Sequence, residues 1–511
     1  MLPILASFPV IVILLLMVVF RWGAARAGAA GYLSALLLAI LAFGAGPEVL
    51  ATAHGRALLL SLDVLYIIWA AFFLYRVADE AGAIKTIGSI LPFLTADKGM
   101  QALLIGWVFA SFLQGAGGFG VPVAVTSPLL VGLGFNPLSA VLITSIGHSW
   151  AVTFGSLGSS FQALISSTGM TADELVTFPA FFLGISALFI GLMVAHIADG
   201  WKGVKRLALP ALLIGLVMGG VQYFVAAVLG LWNISAFLGG LAGLLISIPI
   251  AIRASKSGGK SGPQMPFKPL LIALSAYIVL IVMTVLILLV PQIEGFMSQV
   301  AIRVQFPETV TSLGYVSAAG TNRPIRVFSH AGAILIYSSL LSYFIYKASK
   351  LYRSGAFARI TKGTIQSVIS SSLSIVTMVG MAMVMQQSGM TEALAQGLAN
   401  AVGIAYPAIS PWIGALGAFM TGSNTNSNVV FAALQMRTAE LLTYSLPIIL
   451  AAQTAGAALA SVVAPTKIVV GASTAGLSGK EGEVLRAMIF YIFLLILLVS
   501  VLTVAAVLIW K

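Results

Sequence analysis

Residues 421–428 read Thr421-Gly422-Ser423-Asn424-Thr425-Asn426-Ser427-Asn428, eight small or polar residues in a row within a chain that is 60% hydrophobic. An unsatisfied polar group in hydrocarbon costs several kcal/mol, so a lipid-facing helix does not carry such a run. The run fits a segment that lines a water-filled or ligand-filled cavity, the place where transporters built from broken helices hold their substrate.

Around that run the chain is strongly apolar, with a mean hydropathy of +1.08 and only 8% charged residues. Apolar stretches recur from Met1 to Trp510, and a helix needs about 20 such residues to cross a bilayer. The pattern predicts an all-α polytopic membrane protein of the plasma membrane, with about 12 transmembrane helices plus two re-entrant or broken segments. No polar stretch is long enough to fold separately, so residues 1–511 read as one membrane domain. The net charge of +12 sits in short loops, where Lys and Arg set topology rather than bind nucleic acid. Cysteine is absent, which excludes disulfides, thiolate metal sites and cysteine nucleophiles. Leu2–Phe20 is followed by Arg21 and Arg26 rather than a small-residue cleavage site, and reads as a retained first span.

Loop charges set the expected orientation. Arg21 and Arg26 mark one cytoplasmic loop; Arg76, Lys85 and Lys98 a second; Lys202, Lys205 and Arg206 a third. Arg253, Lys256, Lys260 and Lys268, then Lys347 through Lys362, then Lys467, Lys480 and Arg486 continue the series. Segment 291–326 mixes Glu294, Arg303, Glu308, Arg323 and Arg326 without bias, as an outer loop does. Both termini are expected outside.

The chain also contains a candidate internal repeat. Gly82–Gly115 aligns with Gly389–Gly422 without a gap, at a shift of 307 at both ends (82 to 389, 115 to 422), and Phe112 pairs with Phe419. Few positions are identical, so chance likeness between apolar helices is the competing reading. The loop charges make the two copies enter the membrane from opposite faces, an inverted-topology repeat of the kind that places a site at the bilayer midplane. The approximate repeats are 28–251 and 327–511.

Each copy ends in a break. The first, Gln114-Gly115-Ala116-Gly117-Gly118-Phe119-Gly120-Val121-Pro122, packs four glycines and a proline into nine residues, a poor helix interior. Backbone amides freed at a half-helix N-terminus suit an anion. The second break, Gly422–Asn428, offers side chains that donate to a carboxylate or present oxygens to a cation. Close helix packing for the glycines and local capping for the Ser/Asn run remain the alternatives. Further on, Thr144–Trp150 with Thr153–Ser160, and Gln453–Gly456 with Ala464–Lys467, are a second polar, kinked pair expected to complete the site. The candidate substrate residues are Gln114, Gly115, Ala116, Gly117, Gly118, Ser145, His148, Thr153, Ser423, Asn424, Thr425, Asn426, Asn428, Gln453 and Thr454.

At these residues the chain resembles the lactate permease family. The resemblance rests on Phe112–Leu138 (FLQGAGGFGVPVAVTSPLLVGLGFNPL), Phe419–Gln435 (FMTGSNTNSNVVFAALQ), Ala151–Gly158 (AVTFGSLG), and Ala464-Pro465 with Gly479-Lys480-Glu481. It covers nearly the whole chain. It implies uptake of L-lactate and related 2-hydroxy monocarboxylates, D-lactate and glycolate among them, by proton symport. A more distant similarity to sodium-coupled carboxylate transporters implies the alternative, sodium symport of another organic anion. Two positions depart from the family pattern: Gln114 stands where it has Glu, and Asn424 where it has Asp. Neither amide titrates. The resulting Ser423-Asn424-Thr425 resembles a sodium-type turn.

Ionisable residues inside a membrane are functional candidates. His148 and Asp63 join Ser423, Asn424 and Thr425 as ion-coupling candidates, with a structural polar pair the alternative for Asp63 and a hydrogen-bonded core histidine for His148. His330 reads as interfacial, and Lys467 as an inside-loop anchor or a cation for a carboxylate. Arg323 and Arg326 read as anchors at the outer mouth, with attraction of anions there the alternative. No HExxH or GxSxG motif and no catalytic constellation is present, so no enzymatic activity and no cofactor are expected. A small organic anion with H+ or Na+ is the expected partner set, with a homo-oligomer open; a passive channel is the third class.

Overall fold

The computed structural model describes residues 2–118, 120–256 and 267–510; Phe119, Lys260 and Lys511 lie outside them. Helices dominate. The first half runs α1 (Leu2–Val18), α2 (Ala24–Leu41), α3 (Pro47–Glu80), α4 (Ala83–Ile90), α5 (Lys98–Ala116, π-wound in its middle), α6 (Val121–Gly132), α7 (Pro137–His148) and α8 (Ser159–Thr168). Next come α9 (Thr177–Tyr223), α10 (Trp232–Lys256) and α11 (Phe267–Leu289). The second half runs α12 (Ala331–Ala348), α13 (Ala356–Gln387), α14 (Met390–Val402), α15 (Tyr406–Thr421), α16 (Asn424–Leu441), α17 (Leu446–Ala460), α18 (Pro465–Thr474) and α19 (Glu481–Ile509).

Among the described residues twelve helical stretches are long and apolar enough to cross a membrane. One of them, Thr177–Val228, is 52 residues long. At 1.5 Å per residue it far exceeds a hydrocarbon core of about 30 Å. It breaks at Asp199 and Gly200, whose backbone angles are not helical, so the basic residues Lys202, Lys205 and Arg206 stand at a sharp corner rather than on an open loop.

The order long helix, short helix, helix ending in a break, helix, helix ending in a break, helix occurs twice, as α3–α8 and as α13–α18. Boundaries keep the shift read from the sequence: α3 ends at Glu80 and α13 at Gln387, α4 starts at Ala83 and α14 at Met390. Packing is reciprocal as well. α3 packs on α13; α2 lies on α13 while α12 lies on α3; α1 lies on α14 while α11 lies on α4. Trp69 Nε1 donates to Ser372 Oγ at 2.8 Å, Arg76 Nη2 to Ser367 Oγ at 3.0 Å, and Arg359 Nε to Glu80 at 2.8 Å. Partner numbers fall as α3 ascends, so the two equivalent helices are antiparallel. That is an inverted repeat.

Of the broken helices, α5, α7 and α17 occupy the interior. The spanning window of α5 is 100% buried and that of α17 89%, against 33% for α11. Glycines let them cross closely: a Cβ on Gly147 would lie 2.2 Å from the Gly106 carbonyl oxygen, and one on Gly456 2.0 Å from that of Pro411. Both contacts join the corresponding helices of each half, α7 on α5 and α17 on α15, small residues bringing backbones together as in other membrane bundles.

Segment 301–326, expected as an outer loop, is an extended arm. Three two-residue ladders, β1 (Ala301–Ile302) with β6 (Ile325–Arg326), β2 (Gln305–Phe306) with β5 (Gly320–Thr321), and β3 (Thr309–Val310) with β4 (Val316–Ser317), pair antiparallel around one tip. Phe306 lies under the Arg56 guanidinium at 5.0 Å, and Ser312 N–H donates to the Gly44 carbonyl at 2.9 Å. The arm therefore lies across the start of α3.

Candidate functional site

The second break forms where α15 stops. Gly422 takes a left-handed φ of +71°, a conformation that costs a side-chain-bearing residue about 1–2 kcal/mol. Ser423 then caps α16, its hydroxyl accepting from Asn426 N–H at 3.3 Å. The polar run supplies both the cap and the first turn, with amides pointing back at the break. The first break turns at Gly118 and Gly120, with φ of +60° and +87°. A Cβ on Gly118 would lie 1.7 Å from Ser156 Oγ, so a side chain there would displace the Ser156 hydroxyl as well as strain a left-handed backbone.

A cavity of about 480 Å³ joins these parts. Gly120, the N-cap of α6, and Ser423–Asn426 at the start of α16 line it, together with Ser159 and Ser160 opening α8 and Thr466 and Lys467 in the first turn of α18. Four helix N-termini, two from each half, thus aim their partial positive charge at one space, and the start of α2 (Gly23 and Ala24) lines it as a fifth. Lys467 is the one cation lining it, and no Asp or Glu does, among the described residues. Lys467 Nζ donates to Ser461 Oγ at 3.1 Å, which leaves ammonium protons for another acceptor. Opposite, α13 presents Ser367, Ser370, Ser371 and Ser374.

Of the sequence-derived candidates, Gln114, Ser423, Asn424, Thr425 and Asn426 line this cavity. Thr153, Thr454 and Asn428 form the lattice behind it. Asn424 Nδ2 donates to Thr153 Oγ1 at 3.0 Å, Thr153 Oγ1 to the Thr454 carbonyl at 3.2 Å, and Asn428 Nδ2 to Thr454 Oγ1 at 2.9 Å. Asn428 Nδ2 also reaches the Ser160 carbonyl at 2.8 Å, and Ser160 and Thr425 share a hydroxyl contact at 3.0 Å. Oδ1 of both Asn426 and Asn428 is buried without a protein partner.

The remaining candidates sit elsewhere. Gly115 meets the Phe237 backbone, where a Cβ would lie 2.4 Å from its Cα, and Gly117 faces Tyr75. Ala116 is buried at the end of α5. Gln453 bonds to Gln435 and Ser427, one layer further from the cavity. Ser145 is buried in α7. His148, also in α7, donates from Nδ1 to the Thr144 carbonyl of its own helix at 2.6 Å. Asp63 lies on the arm side, against α8 and His330. Among the described residues no cluster of three or more His, Cys, Asp or Glu stands ready to hold a metal.

The serine stripe of α13 was missed from sequence, although Ser367, Ser370, Ser371 and Ser374 fall at helical spacing i, i+3, i+4, i+7 on one face. A polar face on an otherwise apolar span was the available signal.

Residues 3–510 match the family model described as L-lactate permease. The chain is 30% identical to glycolate permease GlcA of Escherichia coli (strain K12), covering 94% of this chain and 91% of that protein. It is 30% identical to an L-lactate permease of Bacillus subtilis (strain 168), covering 98% and 94%. Among solved structures it is similar to the YdaH transporter of Alcanivorax borkumensis, with a TM-score of 0.47 and 16% identity over 90% of this chain and 87% of that one.

Proposed function

The chain belongs to the L-lactate permease family, and on that premise we propose that it is a secondary active transporter of small 2-hydroxy monocarboxylates. L-lactate is the first substrate, with D-lactate and glycolate beside it, each carried with a proton. One observation carries the reading: five helix N-termini and Lys467 surround a cavity free of acidic side chains. Such a space favours an anion. In this reading the carboxylate takes Lys467 Nζ and the first-turn amides of α16 and α18, and the 2-hydroxyl takes Ser423 or Asn424.

The cavity reaches the basic face, since Ser367 lines it and accepts from Arg76. Arg359 pairs with Glu80 and Arg206 with Asp97 on loops of the same charge class. By the positive-inside rule that face is cytoplasmic, which puts both chain ends and the β arm outside. The antiparallel halves then serve as the moving parts of an alternating-access cycle, and the repeat limits 28–251 and 327–511 stand as its two units.

A second reading, sodium symport, draws on the unpartnered oxygens of Asn426 and Asn428 beside Ser423, Asn424 and Thr425. Purified protein in vesicles, given radiolabelled lactate under an imposed proton or sodium gradient, decides. Accumulation under the proton gradient supports the first reading and under sodium the second. No uptake of any small hydroxy acid under either gradient contradicts both.

A further inference from the structure

Asp63 is the one buried carboxylate among the described residues, 7% exposed. It lies midway along α3, opposite the substrate cavity across α8. Three donors hold it. His330 Nε2 lies 3.0 Å from Oδ1; Gln162 Nε2 donates to Oδ2 at 2.6 Å, and the Ser166 hydroxyl donates to the same oxygen. His330 caps α12, its Nδ1 accepting from Gly332 N–H at 3.2 Å, and stacks on Tyr66 with ring centroids 5.0 Å apart. A nitrogen that accepts carries no proton, so the neutral ring keeps its proton on Nε2, aimed at the carboxylate.

Two cavities reach Asp63 from the arm side, of about 640 and 190 Å³. Charged groups face it there from every neighbouring element: Arg323 and Arg326 from the arm, Arg56 from α3, Asp173 before α9, and Glu294 after α11. Gln162, one of its donors, is two residues from Ser160, which bonds to Thr425 and Asn428 beside the substrate cavity. One short helix therefore touches both places.

We propose that the Asp63–His330 pair takes up and releases the coupling proton of the transport cycle. Gln114 and Asn424 do not titrate, His148 lines none of the three cavities described here, and Lys467 is given to the anion. The proton balance is simple. Carboxylate and neutral imidazole, net −1, take one proton from water on the arm side and become carboxylic acid and neutral imidazole, net zero. The new O–H needs an acceptor where Ser166 and Gln162 had both been donors, so the Ser166 hydroxyl turns to accept it and the Gln162 amide gives way, which loosens the joint between α3 and α8. Release of the proton restores it.

The inference rests on the monocarboxylate-transport reading, and the test separates the two. Wild type, Asp63→Asn and His330→Asn (asparagine keeps the helix cap) are placed in vesicles enclosing a pH-sensitive dye. Lactate counterflow and lactate-driven internal acidification are measured in each. Wild type shows both. Asp63→Asn keeps counterflow and loses acidification, and His330→Asn shifts the pH profile of uptake upward because a donor to the carboxylate is gone. Wild-type acidification per lactate in Asp63→Asn, or an unmoved pH profile in His330→Asn, overturns the proposal; if Asp63→Asn does not fold, the His330→Asn profile decides. Wild-type counterflow without acidification also overturns it while sparing the transport reading. Absent wild-type counterflow overturns that reading and the proton site with it.

Discussion

The Asn424 side-chain amide, on the helix after the second break, donates at 3.0 Å to the Thr153 hydroxyl from the kinked segment of the first half. The two residues are 271 positions apart, and their contact ties the two halves together directly behind the Lys467 cavity. Such a bond, buried away from water, is costly to leave half made.

Replacing Asn424 by Ala removes this donor and leaves Thr153 bonded to Thr454 alone. Losing one such hydrogen bond costs about 0.5–1.5 kcal/mol, which, felt at the transport step, is about a twofold to tenfold fall in transport efficiency. Initial-rate lactate uptake checks it; wild-type kinetics would contradict the placement of Asn424 at the site.

Lys467→Gln keeps a hydrogen-bond donor and removes the cation. Charge-assisted bonds are worth about 1.5–3 kcal/mol, so KM for lactate should rise about tenfold or more. Lys467→Arg should recover part of the affinity, since charge is kept while geometry changes. A KM unchanged in Lys467→Gln would mean that the carboxylate sits elsewhere.

Gly456→Val forces a side chain into the Pro411 carbonyl, 2.0 Å from where its Cβ must go. Overpacking of this kind costs about 1–3 kcal/mol, and the closeness here argues for the upper end. Melting temperature in detergent should fall. Glycines facing open space make the control: Gly482→Ala, where no atom lies within 4 Å, should leave the melting temperature near wild type.

The chain contains no cysteine, so paired cysteines report proximity without background. Thr153 and Thr454 have hydroxyls 3.2 Å apart, compatible with a disulfide between short side chains. Thr153→Cys with Thr454→Cys should form one on oxidation. Protease cleavage between the halves then leaves a single non-reducing band, and uptake stops until reductant is added. Two bands would mean that the kinked segments do not meet.

Much of the architecture could be read from residue order. The shift of 307 between Gly82–Gly115 and Gly389–Gly422 carried through to the helix ends at Glu80 and Gln387, because glycine at the left-handed turns (Gly82 and Gly389) is a local requirement. The polar run at Gly422–Asn428 was legible for the same reason: its caps and exposed amides are encoded within a few residues. Contacts made across hundreds of residues were not. His330 read as interfacial and does begin a helix, yet its ring is packed against Asp63, 267 positions away. Lys467 read first as a loop anchor, since its neighbours along the chain say nothing of the α16 terminus that faces it across the cavity. The short ladders of the β arm, two residues each, are too brief to leave a periodic signal.

The central claim is that a small carboxylate rests among the N-termini of α6, α8, α16 and α18. Determining the structure with L-lactate bound tests it most directly. Density within hydrogen-bond distance of Lys467 Nζ and of the Ser423–Asn426 turn is the predicted result. Lactate lodged under the β arm near Arg323, with the Lys467 cavity empty at saturating ligand, would contradict it.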